Sequence, residues 1–158
     1  MAEQDDADGS SGLGSILSPG RLAQIATTAK LAGKRAAVPV LQRTLRQEVV
    51  RLLQTEDPDA LREYIDVRYP LVENELPDGY RNALQSLGPQ FEDDIVQLVN
   101  PQTIMGWLSE PEEWMDATEN PEEVEQVRRA GEIIRTHPGG EEWLNQQVLA
   151  LYTVCGIT

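Results

Sequence analysis

Catalysis needs a side chain whose proton or lone pair can be tuned in a pocket, and this chain offers few. It holds one histidine, His137, and one cysteine, Cys155. His137 falls in the run His137-Pro138-Gly139-Gly140, which reads as a turn. It is expected to be an exposed loop residue without the orienting partner that a general base requires. Cys155 lies on the apolar stripe of the last expected helix and reads as a small buried hydrophobe, because reactive thiols sit in electropositive surroundings. Carboxylates are so abundant that no pair stands out as an acid and its base. A Walker A motif, a nucleophile elbow, a CxxC pair, an HExxH pair and an EF-hand loop are all missing. Residues 110–125 hold eight acids and no base. They read as a solvated acidic face, since an oxygen cage needs ligands converging on one point. The expectation is a non-enzymatic protein, with no catalytic residues, no metal and no cofactor.

The chemistry that remains is that of charged surfaces. Asp and Glu number 27 against 13 Lys and Arg, a net charge of −14. Only two of the bases are lysines, Lys30 and Lys34. This acid-rich, lysine-poor balance resembles proteins of salt-in halophiles such as haloarchaea and their viruses. The likeness is one of composition, with the acidic surface keeping a protein dispersed when salt screens it. The charge is unevenly spread: residues 1–17 carry −4, residues 18–55 carry +6 and residues 56–158 carry −16. No stretch carries the motif of a known family.

The basic stretch is the sharp anomaly, because charge asymmetry between segments marks a surface with its own partner. Its bases are Arg21, Lys30, Lys34, Arg35, Arg43, Arg46 and Arg51. They accompany an apolar stripe of Leu22, Ile25, Ala29, Ala32 and Ala36, whose small residues permit close helix approach. Four fates compete for this stretch. It packs within the chain, its bases paired to acids of the body; it docks on an acidic protein surface, including a second copy; it binds nucleic-acid phosphate; or it lies on an anionic membrane. Nucleic acid is disfavoured by the −16 of the remainder and by the lack of aromatic residues in 18–55 to stack on bases. Membrane insertion is disfavoured by a stripe without Trp or Phe.

Helical punctuation dictates the elements that position these residues. Ser18-Pro19, Asp57-Pro58 and Asn100-Pro101 each offer an N-cap followed by a first-turn proline. A helix from Pro19 is expected to break at Pro39, with a second over about 40–55 burying Leu41, Leu45, Val49 and Leu52. Leu61 and Ile65 mark the next helix, and Asp78 is placed to cap one carrying Tyr80, Leu84 and Leu87. Gly88-Pro89 reads as its stop, with the glycine at the left-handed position. Ser109 with Glu112, and Asn120 with Glu123, fit capping boxes. The helix 121–135 and a last helix carrying Leu144, Val148, Leu151 and Cys155 follow. Trp107, Trp114 and Trp143 are expected in the core, since the chain has one Phe. No segment alternates as a strand does.

The expected fold is all-α, an irregular array of about eight or nine short-to-medium helices. The expected organisation is a disordered acidic Gly/Ser arm over 1–17, a basic helical arm or hairpin over 18–55 and an acidic helical body over 56–158. Function is expected to lie in protein–protein interaction or assembly, as in a structural component of a haloarchaeal complex or virion. The alternative is a nucleic-acid-associated regulator using the 18–55 helices. The longest apolar runs fall short of a membrane span and the first residues lack the features of a signal peptide. A cytoplasmic protein, or one built into a particle assembled there, is therefore expected.

Overall fold

A computed structural model describes residues 19–157, and every regular element among them is helical. In chain order they are α1 (Pro19–Ala32), α2 (Lys34–Leu53), α3 (Pro58–Val67), α4 (Leu71–Glu75) and α5 (Asp78–Leu87). A 3-10 turn (Gly88–Phe91) leads to α6 (Glu92–Leu98) and α7 (Pro101–Ser109), and a second (Pro111–Glu113) precedes α8 (Pro121–Thr136) and α9 (Gly140–Val154). This is the expected all-α, irregular multi-helix array. The readings of 1–17 as an arm and of Ser18 as a cap lie outside the described residues.

Two of the caps form as the sequence dictates. Asp57 accepts a hydrogen bond from the Asp59 N–H at 3.0 Å, and Asn100 from the Thr103 N–H at 2.9 Å. Each satisfies a donor that the first helical turn leaves open. Other local readings are corrected. Pro39 does not break the first run: it sits inside α2, and the break falls at Gly33, whose φ of 91° suits glycine. Pro39 removes one helical N–H, and both it and Arg35 are exposed, a setting in which water can reach a freed carbonyl. Ser109 ends α7 and caps nothing, and Asn120 precedes α8 without a side-chain cap bond. Asp78 is already helical, with Pro77 before it. Gly88 is not left-handed, with φ at −51°. It is needed for space, since a Cβ there would lie 1.9 Å from the Cys155 carbonyl oxygen.

The core gathers around α2. Ala37, Leu41, Thr44, Leu45, Glu48, Val49, Val50 and Leu53 are all buried on it. It packs against α1, α4, α7 and α8, while α1 also packs on α5 and α9 spans α4, α5, α7 and α8. Leu22 and Ile25 fasten α1 to this core and Ala29 is half-buried, whereas Ala32 and Ala36 are exposed. Trp143, Tyr80 and Phe91 are the bulkiest fully buried side chains, and Trp107 is buried too. Trp114 is only half-buried. Gln147 is a buried polar bolt, accepting from the Val72 N–H at 3.2 Å and donating to the Tyr69 carbonyl at 3.3 Å. No described helix is long and apolar enough to cross a membrane.

Candidate functional site

The seven bases of α1 and α2 meet different fates, decided by the side of the helix on which each falls. At about 100° per residue, Arg35, Gln42, Arg43 and Arg46 share one face of α2, within an arc of about 100°. Glu48 and Arg51 fall on the opposite side. Arg51 is drawn inward and clasps Glu48 with two nitrogens, Nη2 to Oε2 at 2.6 Å and Nε to Oε2 at 3.1 Å. The same Nη2 donates to the Glu75 carbonyl at 3.3 Å. Lys34 reaches Asp94 at 3.5 Å and lies 5.3 Å from the centre of the Phe91 ring.

The outward bases are placed otherwise. Arg46 lays its guanidinium 4.9 Å from the centre of the Trp114 ring. Its Nε is shut off from solvent and has no hydrogen-bond partner. Burial, and then the like charge of Arg43, weaken its hold on its proton. Arg43, Arg35 and Lys30 are exposed and Arg21 is half-buried. None of these four forms a salt bridge with another described residue. In the body, by contrast, Arg62 pairs with Asp59, Arg68 with Glu142, Arg81 with Asp78, Arg128 with Glu112 and Glu125, and Arg135 with Glu132.

The apolar residues read as part of the same contact surface are divided. Leu22 and Ile25 are 1% exposed, already seated in the core of their own chain, so they offer an outside surface nothing. Ala29 is half-buried and Ala32 is exposed. Beside Ala32, Leu31 is the most exposed large apolar side chain described, at 84%.

His137 is not the free loop residue expected. Its Nε2 lies 2.7 Å from Asp66 Oδ1, and its Nδ1 accepts the Gly139 N–H at 3.0 Å. The ring thus ties the turn between α8 and α9 to α3. In the neutral imidazole the second contact places the proton on Nε2, facing Asp66. Both ring nitrogens are engaged within the fold. Cys155 is buried, and burial pushes its thiol up to about 12. In the 110–125 run, Glu112 and Glu125 hold Arg128, and no group of three or more His, Cys, Asp or Glu among the described residues could hold a metal ion.

Glu48 was not singled out by the sequence, although its spacing held the signal. Leu41, Leu45 and Leu52 at helical intervals put position 48 on the same inward stripe. The side chain is 3% exposed. Burial raises its proton affinity, and the Arg51 contacts only partly offset this. Near it a cavity of about 30 Å3 is walled by apolar atoms of α2, α4 and α9 and bordered by Tyr80, whose buried hydroxyl has no partner.

Family profiles, curated proteins and solved structures show no match to this chain.

Proposed function

We propose that the chain is a non-enzymatic interaction or assembly subunit, and that it docks the unpaired bases of α1 and α2 on an acidic protein surface. One contrast supports this reading. Five of the six bases in 56–158 hold carboxylates, while Arg21, Lys30, Arg35 and Arg43 hold none among the described residues. In a molecule with twice as many acids as bases, such a face is complementary to something negative outside it. A structural component of a particle, a haloarchaeal complex or virion, suits a chain with this surface and this acid-rich composition.

One structural fact bears on the nucleic-acid alternative. Trp114 lies against Arg46, so the basic face does have an aromatic neighbour, supplied from far along the chain. The acids around it remain, and a duplex carrying one charge per ~1.7 Å meets their repulsion.

The test is binding of the full chain to immobilised polyglutamate and to a short DNA duplex over a range of salt. Polyglutamate is expected to retain the chain and DNA to release it. The variant Lys30→Glu/Arg35→Glu/Arg43→Glu should lose polyglutamate binding by about tenfold or more. Retention on DNA with a steep log–log salt slope, and none on polyglutamate, would hand the function to nucleic-acid binding.

A further inference from the structure

Trp114 joins a basic helix face to an acidic turn. Arg46 lies over its ring, and Arg43 is one helical turn before Arg46. The chain leading into Trp114 is the turn Glu110-Pro111-Glu112-Glu113, whose three acids are exposed. Glu112 is spent on Arg128. Glu110 and Glu113 form no salt bridge with another described residue. One arginine lies on this half-buried indole, a second is one helical turn from it, and the unpaired acids are within four residues of the tryptophan in the chain.

Two observations mark this junction as unfinished in the single chain. The Arg46 Nε is buried without an acceptor, an arrangement that costs free energy until the guanidinium is satisfied elsewhere. Arg43 and Arg46 also crowd one another with like charge and with no carboxylate between them. An acid arriving from outside relieves the like-charge crowding and gives the rest of the guanidinium a partner.

The surface that delivers such an acid is already present on the same molecule. A two-fold contact brings residue i of one copy against residue j of the other, and j against i. Only a patch carrying both signs is complementary to itself in this way. A patch of bases alone, or of acids alone, repels its own copy. A half-buried tryptophan at the centre is the residue type on which such contacts concentrate.

We propose that two copies of the chain associate through a two-fold contact centred on Trp114, with Arg43 and Arg46 of each copy facing Glu110 and Glu113 of the other. This rests on the docking role proposed above and names its partner as a second copy. The net charge of −14 on each copy opposes the approach. At physiological salt the Debye length is about 8 Å, so the distant repulsion is damped while pairs in contact are screened less. Association should therefore be weak in very dilute buffer and strengthen as salt screens the distant repulsion.

The experiment is sedimentation equilibrium of the full chain near 0.15 M NaCl. The unaltered chain is expected at twice its monomer mass at high concentration. Arg43→Glu places acid against acid and Glu113→Arg places base against base, so each variant alone should shift toward monomer, its Kd rising about tenfold or more. An equimolar mixture of the two variants should recover the dimer, because both contacts between unlike copies are then attractive. Both side chains are exposed, so circular-dichroism melts should match the unaltered chain and show that folding is unaffected. A monomer at every concentration and salt overturns the proposal, and so does a mixture that fails to recover the dimer. If the chain is monomeric yet the triple charge-reversal variant still loses polyglutamate, the self-contact falls and docking on another acidic protein stands. Loss of both results removes both.

Discussion

The two sides of α2 share one helix and both carry arginine, yet they do opposite things. The inward side carries Leu41, Leu45 and Val49 with Glu48, and its one arginine, Arg51, is used to neutralise that buried acid. The outward side carries Arg35, Arg43 and Arg46, which are matched to no carboxylate among the described residues. The basic segment is therefore not uniform in role. One side is core, and its charge serves folding; the other is surface, and its charge meets no carboxylate among the described residues. Net charge along a sequence does not locate a surface until the helix is given a side.

The largest effect is expected at the apolar centre of the inward side. Leu45→Ala should cost about 2–5 kcal/mol in urea unfolding, because the residue is fully buried and its truncation removes packed methyl groups from the core. A cost near zero would mean that α2 is not central to the core. Next comes Arg51→Ala, expected to cost about 3 kcal/mol at neutral pH by leaving the Glu48 carboxylate buried without its partner. The same measurement in acid should show a smaller cost, since a protonated Glu48 needs no counter-charge.

Glu48→Gln sharpens the comparison by sign. The folded carboxyl holds its proton more tightly than an unfolded one, burial outweighing Arg51. Its stabilising share is present below the ordinary carboxyl range and is lost as pH rises through the folded value. Glutamine removes that loss. The variant should therefore gain on the unaltered chain as pH rises through the folded value, with Arg51 free to turn to water. A gap that stays flat with pH, or that favours glutamate at pH 7, would show that the ion pair outweighs the burial. The smallest effect belongs to the outward side. Arg43→Ser and Arg35→Ser should each stay within about 0.5 kcal/mol in the same unfolding assay, because the exposed bases support no contact of the fold.

Much of the architecture was legible before any coordinates. Proline-led helix starts at Asp57 and Asn100, and apolar stripes such as Leu144, Val148, Leu151 and Cys155, are local signals written within a few residues. The misplaced break at Pro39 and the misread Gly88 have one cause. In both, a tertiary demand overrode a local preference: a one-residue joint at Gly33 that sends α2 into the core, and a close approach of Cys155 to Gly88. The candidate surface was half legible. Its bases could be counted, but the distant residues that claim or decorate them could not: Asp94 for Lys34 and Trp114 for Arg46. Likewise, nothing near His137 in the chain announces Asp66.

By itself, the sequence determined that this chain is helical, that it is strongly acidic and that its bases are gathered over residues 18–55. Those properties follow from periodicity, capping chemistry and composition, each of which acts over a turn or two of chain. Only the tertiary structure decided which bases are consumed and which are left outward, and that an indole from residue 114 meets an arginine from residue 46. The physical reason is range. Pairing, burial and desolvation depend on what lies within a few ångströms in space, and folding brings there residues that the chain keeps far apart.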